Sequence, residues 1–244
     1  MASPRIFCDT RLGPGAQFSL PQDAANHVGK ALRLHVGDSI VVFDGSGGEY
    51  DASILRIDRG RIDVKLGALR DADREAPMAV GLIQGLPEAD KMDRILQKSV
   101  ELGVAWVQPV VCDRSVVRLS GDRAARRETH WQRVAIAACE QCGRDRVPEV
   151  RATLAFRDWA AQPSQATRWM LSPGADEALA AQPAPPGPVE LLIGPEGGLS
   201  ERELDIAGMI GFTALSLGPR VLRTETAPIA ALAAMQSLWG DFRR

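Results

Sequence analysis

The sequence predicts an α/β protein, with a parallel sheet in its C-terminal two thirds and a small all-β unit before it. Three observations predict this. Up to about residue 70, short apolar runs are separated by glycine turns, and after residue 77 strand-like runs alternate with helix-like ones. The pattern changes at Asp71-Ala72-Asp73-Arg74-Glu75-Ala76-Pro77, a charged, aperiodic stretch closed by proline, which divides the chain into 1–72 and 77–244. Two apolar runs then end in glycine loops, at 193–198 and 217–227, about 25 residues apart, the spacing of one strand-helix-strand unit. Ligands of open α/β sheets bind at such carboxyl ends of strands, so the two loops suggest one shared pocket.

Arg5-Ile6-Phe7 reads as a short strand, and 21–32 as a short helix with Ala24, Val28 and Leu32 on one face. Val36-Gly37-Asp38 turns into a strand at 39–43. Gly45-Ser46-Gly47-Gly48 turns again, and strands follow at 52–57 and 62–66 about an Arg59-Gly60-Arg61 turn. Such strands suggest a small barrel. Beyond the boundary, 79–83 is a strand closing at Gln84-Gly85-Leu86-Pro87. The helix 91–102 places Met92, Ile95, Leu96 and Ser99 on one face and Lys91, Arg94, Lys98 and Glu101 on the other. Gly103 sits where a helix-ending glycine belongs. A strand at 106–111 leads to a helix at 123–141, whose apolar stripe is Trp131, Val134, Ala135, Ala138 and Cys142 and whose terminator is Gly143. Residues 168–171 form a strand stopping at Ser172-Pro173-Gly174. A proline-rich link at 181–188 precedes the strand 189–193, which enters the first glycine loop.

Composition bounds the function. At 45% hydrophobic and 25% charged residues the chain is an ordinary globular protein. No apolar run approaches the roughly 20 residues needed to span a bilayer, and the start lacks the apolar core of a signal peptide, so a cytoplasmic location is expected. Cys139 and Cys142 form a lone C-x-x-C at the end of a helix, with Cys8 and Cys112 isolated. That argues against zinc and against a redox pair, and predicts small half-buried residues. The net charge of −2 hides an excess at 114–151, where 9 arginines face 5 acids. Arg114, Arg118, Arg123, Arg126, Arg127, Arg144 and Arg146 could meet RNA phosphates or form a solvated face, and Lys91, Arg94 and Lys98 carry the same ambiguity.

In the first loop, Ile193-Gly194-Pro195-Glu196-Gly197-Gly198, the glycines permit close backbone approach, and Ser200 with Glu203 predicts a capping box for the next helix. Phosphate fingerprints are missing, and Glu196 would repel a phosphate, which favours a neutral or cationic ligand. In the second loop, Arg220 and Arg223 precede Thr224-Glu225-Thr226, with Thr226 a candidate N-cap. The helix it opens is apolar almost all round, which predicts burial on every side, in a tight crossing or a dimer interface.

These residues carry a resemblance. Ile193-Gly194-Pro195-Glu196-Gly197-Gly198 followed by Leu217-Gly218-x-Arg220-x-Leu222-Arg223-x-Glu225-Thr226-Ala227 resembles the RsmE family of 16S ribosomal RNA (uracil-N3) methyltransferases, in the SPOUT superfamily. Lys98-x-x-Glu101-Leu102-Gly103, Arg114-Ser115-Val116 and Glu140-Gln141-Cys142-Gly143-Arg144 resemble further motifs of that family, and the likeness spans essentially the whole chain. The resemblance implies an N-terminal PUA-like barrel, a C-terminal trefoil knot, a homodimer, S-adenosylmethionine as methyl donor without a metal, and 16S rRNA as partner, within the small ribosomal subunit. It places the donor among three loops, with Leu171, Ile193, Gly194, Glu196, Gly197, Leu217, Leu222, Thr224, Thr226 and Ala227 as its contacts.

Methylating uracil N3 needs in-line attack on the methyl carbon and loss of the N3 proton from an unpaired base. Arg223 is the candidate to stabilise charge developing on the uracil oxygens, and Glu225 the candidate proton acceptor. The alternative is that Arg220 and Arg223 merely hold their loop by pairing with Glu196 or Glu225. Two other functions compete: a silent RNA-binding assembly factor, and a related methyltransferase acting at another RNA site.

Overall fold

Alternation builds the N-terminal strands. In the computed structural model, which describes residues 3–72, 74–88, 90–117 and 121–243, β1 (Arg5–Phe7), β2 (Gln17–Ser19), β3 (Ser39–Phe43), β4 (Glu49–Asp58) and β5 (Arg61–Arg70) form a five-stranded sheet in the order β1-β3-β4-β5-β2. Tyr50, Ala52 and Ile54 of β4 and Ile62, Val64 and Leu66 of β5 turn inward, while Asp51 and Leu55 turn out. The β1–β3 pair is parallel and the others antiparallel. The helix expected at 21–32 is α1 (Gln22–Asn26) continued by a π-helical turn over His27–Ala31, and Ala25 and Val28 are buried against the sheet.

The remaining strands are parallel. β6 (Val80–Gly85), β7 (Val104–Val111), β8 (Glu149–Val150), β10 (Thr167–Leu171), β11 (Val189–Ile193) and β12 (Thr213–Leu215) line up as β12-β10-β11-β6-β7-β8, with β9 (Leu154–Ala155) also on β7. β6 and β11 are buried at every position, as strands covered on both faces must be. Between them run α2 (Lys91–Glu101), α3 (Gly121–Cys142), α4 (Phe156–Ala160), α5 (Glu201–Met209) and α6 (Ala227–Trp239). Met92, Ile95, Leu96 and Ser99 are buried along α2, the face its spacing predicts. Gly103 and Gly143 follow α2 and α3 at φ +82° and +92°, a conformation glycine adopts without strain.

The chain divides into two units, Met1–Glu75 with Cys139–Val147, and Ala76–Ala138 with Pro148–Arg244. The sequence assigned all of 77–244 to one domain, whereas residues 139–147 pack with the first unit. Their polar groups explain why. Asp145 Oδ2 accepts the Gly48 N–H at 2.6 Å and Glu140 Oε1 accepts the Phe7 N–H at 2.9 Å. No periodicity announces such bonds.

The apolar helix α6 is not enclosed on every side within one chain. Ala227, Pro228, Ala231, Leu232, Met235 and Gln236 are buried, but Ile229, Ala230, Ala233 and Ala234 are only half-buried. Among the described residues, no helix is long and apolar enough to cross a membrane.

Candidate active site

The carboxyl ends of β10, β11 and β12 converge on a cavity of about 610 Å³ within the second unit. β11 lies between β10 and β6, strands far apart in sequence, so the chain reverses direction across the sheet here and leaves strand ends open to a ligand. Of the expected donor contacts, Leu171, Ile193, Gly194, Glu196, Leu217, Leu222, Thr224 and Ala227 line the cavity, and Gly197 and Thr226 stand outside its lining. The cavity also brings Arg223, Glu225, Arg220 and Lys91 together. Ser172 and Pro173, just past β10, complete the wall that the sequence located only by resemblance.

The first loop is built by close approach. A Cβ on Gly194 would lie 3.1 Å from Gly198 C and Leu199 N. Behind it, a Cβ on Gly85 would lie 2.6 Å from Pro195 Cδ, so β6 also needs a glycine where it passes the loop. The capping box forms as read: Ser200 Oγ accepts the Glu203 N–H at 3.3 Å and Glu203 Oε2 accepts the Ser200 N–H at 2.8 Å. Glu203 Oε1 also takes the Asp113 N–H at 2.8 Å, which ties the end of β7 to this loop.

The second loop is tied to the first through Thr224. Its Oγ1 donates to Gly194 O at 2.8 Å and accepts from Gln84 Nε2 at 3.0 Å, and Thr224 and Gln84 are both buried. Thr226 stands before α6, but its side chain caps nothing; the turn closes instead through the Thr226 and Ala227 N–H groups on Arg223 O.

The charged groups sort differently from the sequence expectation. Glu196 meets neither Arg220 nor Arg223: its Oε1 accepts Lys91 Nζ at 2.7 Å and the Glu88 N–H at 3.0 Å. Burial pushes the Glu196 carboxyl up, but these donors outweigh it and hold it below its ordinary value; the same hydrogen bond raises Lys91. Arg220 and Arg223 are exposed, and their guanidiniums make no ion pair or hydrogen bond among the described residues. Glu225 Oε2 is shielded from solvent and has no partner. The loop-holding role weighed for the two arginines is therefore filled by Lys91 and Thr224, which leaves two guanidiniums and one carboxylate oxygen of the cavity uncommitted.

The expected RNA-contacting residues are scattered in role. Arg144 is buried, 5% exposed, and paired with Glu75, so its guanidinium is a structural group and not a surface one. Arg114 Nη1 donates to Gly197 O at 3.0 Å and braces the glycine loop. Lys98 pairs with Glu101 at 2.7 Å. Arg94 and Arg126 are exposed. Arg118 lies outside the described residues. Gln84, Thr224's partner, is the site residue the sequence reading passed over; it stood only as the residue at which a strand closes. Among the described residues no cluster of three or more metal-ligand side chains occurs.

Two family models match the chain. Residues 74–236 match the family model described as RNA methyltransferase domain, and residues 20–67 the one described as RNA methyltransferase PUA domain. The chain is 31% identical to ribosomal RNA small subunit methyltransferase E of Buchnera aphidicola subsp. Schizaphis graminum, over 98% of this chain and 97% of that one. It is 30% identical to the protein of that name from Bacillus subtilis, over 89% of each. Among solved structures, ribosomal RNA small subunit methyltransferase E from Neisseria gonorrhoeae, bound to S-adenosyl methionine, superposes with a TM-score of 0.92 at 39% identity, covering 99% of this chain and 100% of that one. A putative methyltransferase from Legionella pneumophila, in complex with the same cofactor, superposes with a TM-score of 0.95 at 35% identity, again over 99% and 100%.

Proposed function

Because the chain belongs to the ribosomal RNA small subunit methyltransferase E family, we propose that it transfers a methyl group from S-adenosylmethionine to N3 of one uridine in 16S rRNA. The observation that carries the reading is the cavity at three strand ends, with its close-packed glycine loop and an unpartnered, solvent-shielded Glu225 oxygen. The residues present fit the donor. A zwitterion that also bears a sulfonium needs both signs of charge within reach, and Glu225 and Arg220 supply them uncommitted. Gly194, Leu217, Leu222 and Ala227 offer backbone and small apolar surface for its nucleoside.

The donor supplies an electrophilic methyl carbon, whose bond to sulfur breaks as its bond to N3 forms while the N3 proton departs. The rest is the work of this chain. Holding the uracil in line with that carbon is worth up to about 7–11 kcal/mol. N3 is the Watson–Crick edge, so the base must be unpaired before it can enter. Arg223, exposed at the cavity and free of any carboxylate, is placed to meet negative charge growing on O2 or O4. Glu225 Oε2, with no hydrogen bond to give up, accepts the N3 proton.

Further parts of the reading rest on narrower support. The half-buried Ile229, Ala230, Ala233 and Ala234 face of α6 supports a homodimer. A trefoil knot in the C-terminal sheet belongs to the same reading, on the strength of the family alone. Small-subunit rRNA as substrate implies a cytoplasmic location and the assembled subunit as the natural partner. The deciding experiment incubates the protein with small ribosomal subunits from a methylation-deficient strain and maps the methylated nucleotide by mass. We expect one 3-methyluridine; methylation of a ribose, of another base, or of no nucleotide overturns the reading.

A further inference from the structure

A second cavity, of about 660 Å³, opens in the same unit between the exit of β6, the first turn of α2 and the first half of α3. Helical spacing creates it. Arg123, Arg126, Arg127, His130 and Trp131 fall at i, i+3, i+4, i+7 and i+8 of α3, one face of the helix, and all five line the cavity. From Trp131 onward that side of the helix turns apolar and packs: Trp131, Ala135 and Ala138 are all buried. The basic stripe therefore continues a core-facing side into open space.

The chemistry of the lining is lopsided. Arg123, Arg126 and Arg127 are exposed and have neither an ion pair nor a hydrogen bond among the described residues. The indole N–H of Trp131, a residue 3% exposed, has no acceptor. Two carboxylates also line the cavity. Asp93 Oδ2 is taken by His130 Nε2 at 2.7 Å, but Asp93 Oδ1 has no donor, and Asp90 stands beside it. The floor is apolar, from Leu86, Pro87 and Val117. The site thus offers free cations at the rim, an apolar surface for a flat group and one unmet acceptor for a hydroxyl or amine. An unstacked ribonucleotide presents those three features together: phosphate, base and 2′-hydroxyl.

The wall between the two cavities is short. Asp90 and Asp93 line this one, Lys91 lines the other, and Glu88 and Lys91 both bond Glu196 of the glycine loop. We propose that this second cavity binds a nucleotide of the RNA strand adjoining the target uridine, its phosphate on Arg123, Arg126 and Arg127 and its 2′-hydroxyl or base amine on Asp93. This rests on the reading of the chain as an RNA methyltransferase. Flipping one uridine into the first cavity unstacks its neighbour, and a site on the far side of the Glu88–Lys91 wall keeps that neighbour from restacking.

Two measurements test it with the intact protein. In Arg123→Ala/Arg127→Ala, the KM for small ribosomal subunits rises about tenfold, the loss of a charge-assisted contact. The salt slope of RNA binding flattens by about 1 per arginine. Donor affinity by calorimetry and kcat stay within a factor of about two, which also shows that the variant is folded. An unchanged KM overturns the proposal. Photocrosslinking to thiouridine-substituted rRNA, with peptide mapping, is expected to mark 86–93 or 121–133; crosslinks confined elsewhere overturn it. If crosslinks form there but no uridine is methylated, the proposed reaction falls and this site stands. If uridine is methylated normally without such crosslinks, the reverse holds.

Discussion

Two side chains at the first cavity, Arg223 and Glu225, are distinguished by having nothing else to do. Around them Glu196 is engaged with Lys91, Thr224 with Gly194 and Arg114 with Gly197, and Arg220 alone of the neighbouring loop charges is as free as Arg223 among the described residues. An arginine that held its loop would show a partner; Arg223 has none. Arg223→Ala is therefore expected to lower kcat about 10²-fold, as removal of a charge-stabilising donor does, with donor affinity nearly unchanged. Single-turnover kinetics beside calorimetry check it, and an unchanged turnover removes Arg223 from the reaction. Glu225→Gln keeps the shape and loses the base, so the single-turnover rate should fall about 10²-fold or more. Glu196 gives a pH dependence of a different kind. Its carboxyl sits below the ordinary value because hydrogen bonds outweigh burial, so its clamp on Lys91 is present above the ordinary carboxylate range and is lost as pH falls through the lowered value. Donor affinity measured against pH should hold through neutrality and drop only in acid. Of the four cysteines, Cys8, Cys112 and Cys139 are buried and Cys142 is half-buried. Burial pushes the Cys8 and Cys139 thiols up to about 12 and Cys112 higher still, so all three should resist alkylation at pH 8 until the protein unfolds, as mass spectrometry would show.

Elements were legible where one face of a strand or helix met the core. The α2 stripe, the β4 and β5 alternation, the buried β6 and β11 runs and the Ser200 capping box all express a local period or a local bond. The contacts that shape the site were not. Gln84 meets Thr224 across 140 residues, Lys91 meets Glu196 across 105 and Arg114 meets Gly197 across 83. Each joins a side chain to a partner that only the sheet order brings near, and no spacing along the chain encodes it. The short β8, β9 and α4 escaped for a simpler reason: two to five residues carry too little periodicity to register. Close packing yields the test at this scale. A Cβ on Gly81 of β6 would lie 2.0 Å from Trp106 Cζ2, inside the neighbouring strand's indole. Gly81→Ala should destabilise the fold by about 1–3 kcal/mol, read from urea unfolding. Gly194→Ala, by contrast, should chiefly weaken donor binding, because its Cβ crowds only the loop's own backbone at 3.1 Å.

Across the whole molecule, the resemblance and the comparisons agree on a two-part RNA methyltransferase, and the geometry adds what each part requires. If two copies meet at the half-buried face of α6, as proposed, Ala233→Glu should shift sedimentation toward a monomer. The division into units also governs how the protein comes to be. Glu140 and Asp145, which bond Phe7 and Gly48, lie far along the chain from the strands they complete. During synthesis the N-terminal sheet leaves the ribosome lacking these bonds, and it waits for residues 139–147 to emerge, several seconds later at about 5–20 residues per second. A fragment cut after Glu75 would lack them permanently, so the first unit should not be obtainable as a stable excised domain, whereas a chain stopped after Val147 should already protect its β3 and β4 amides from exchange.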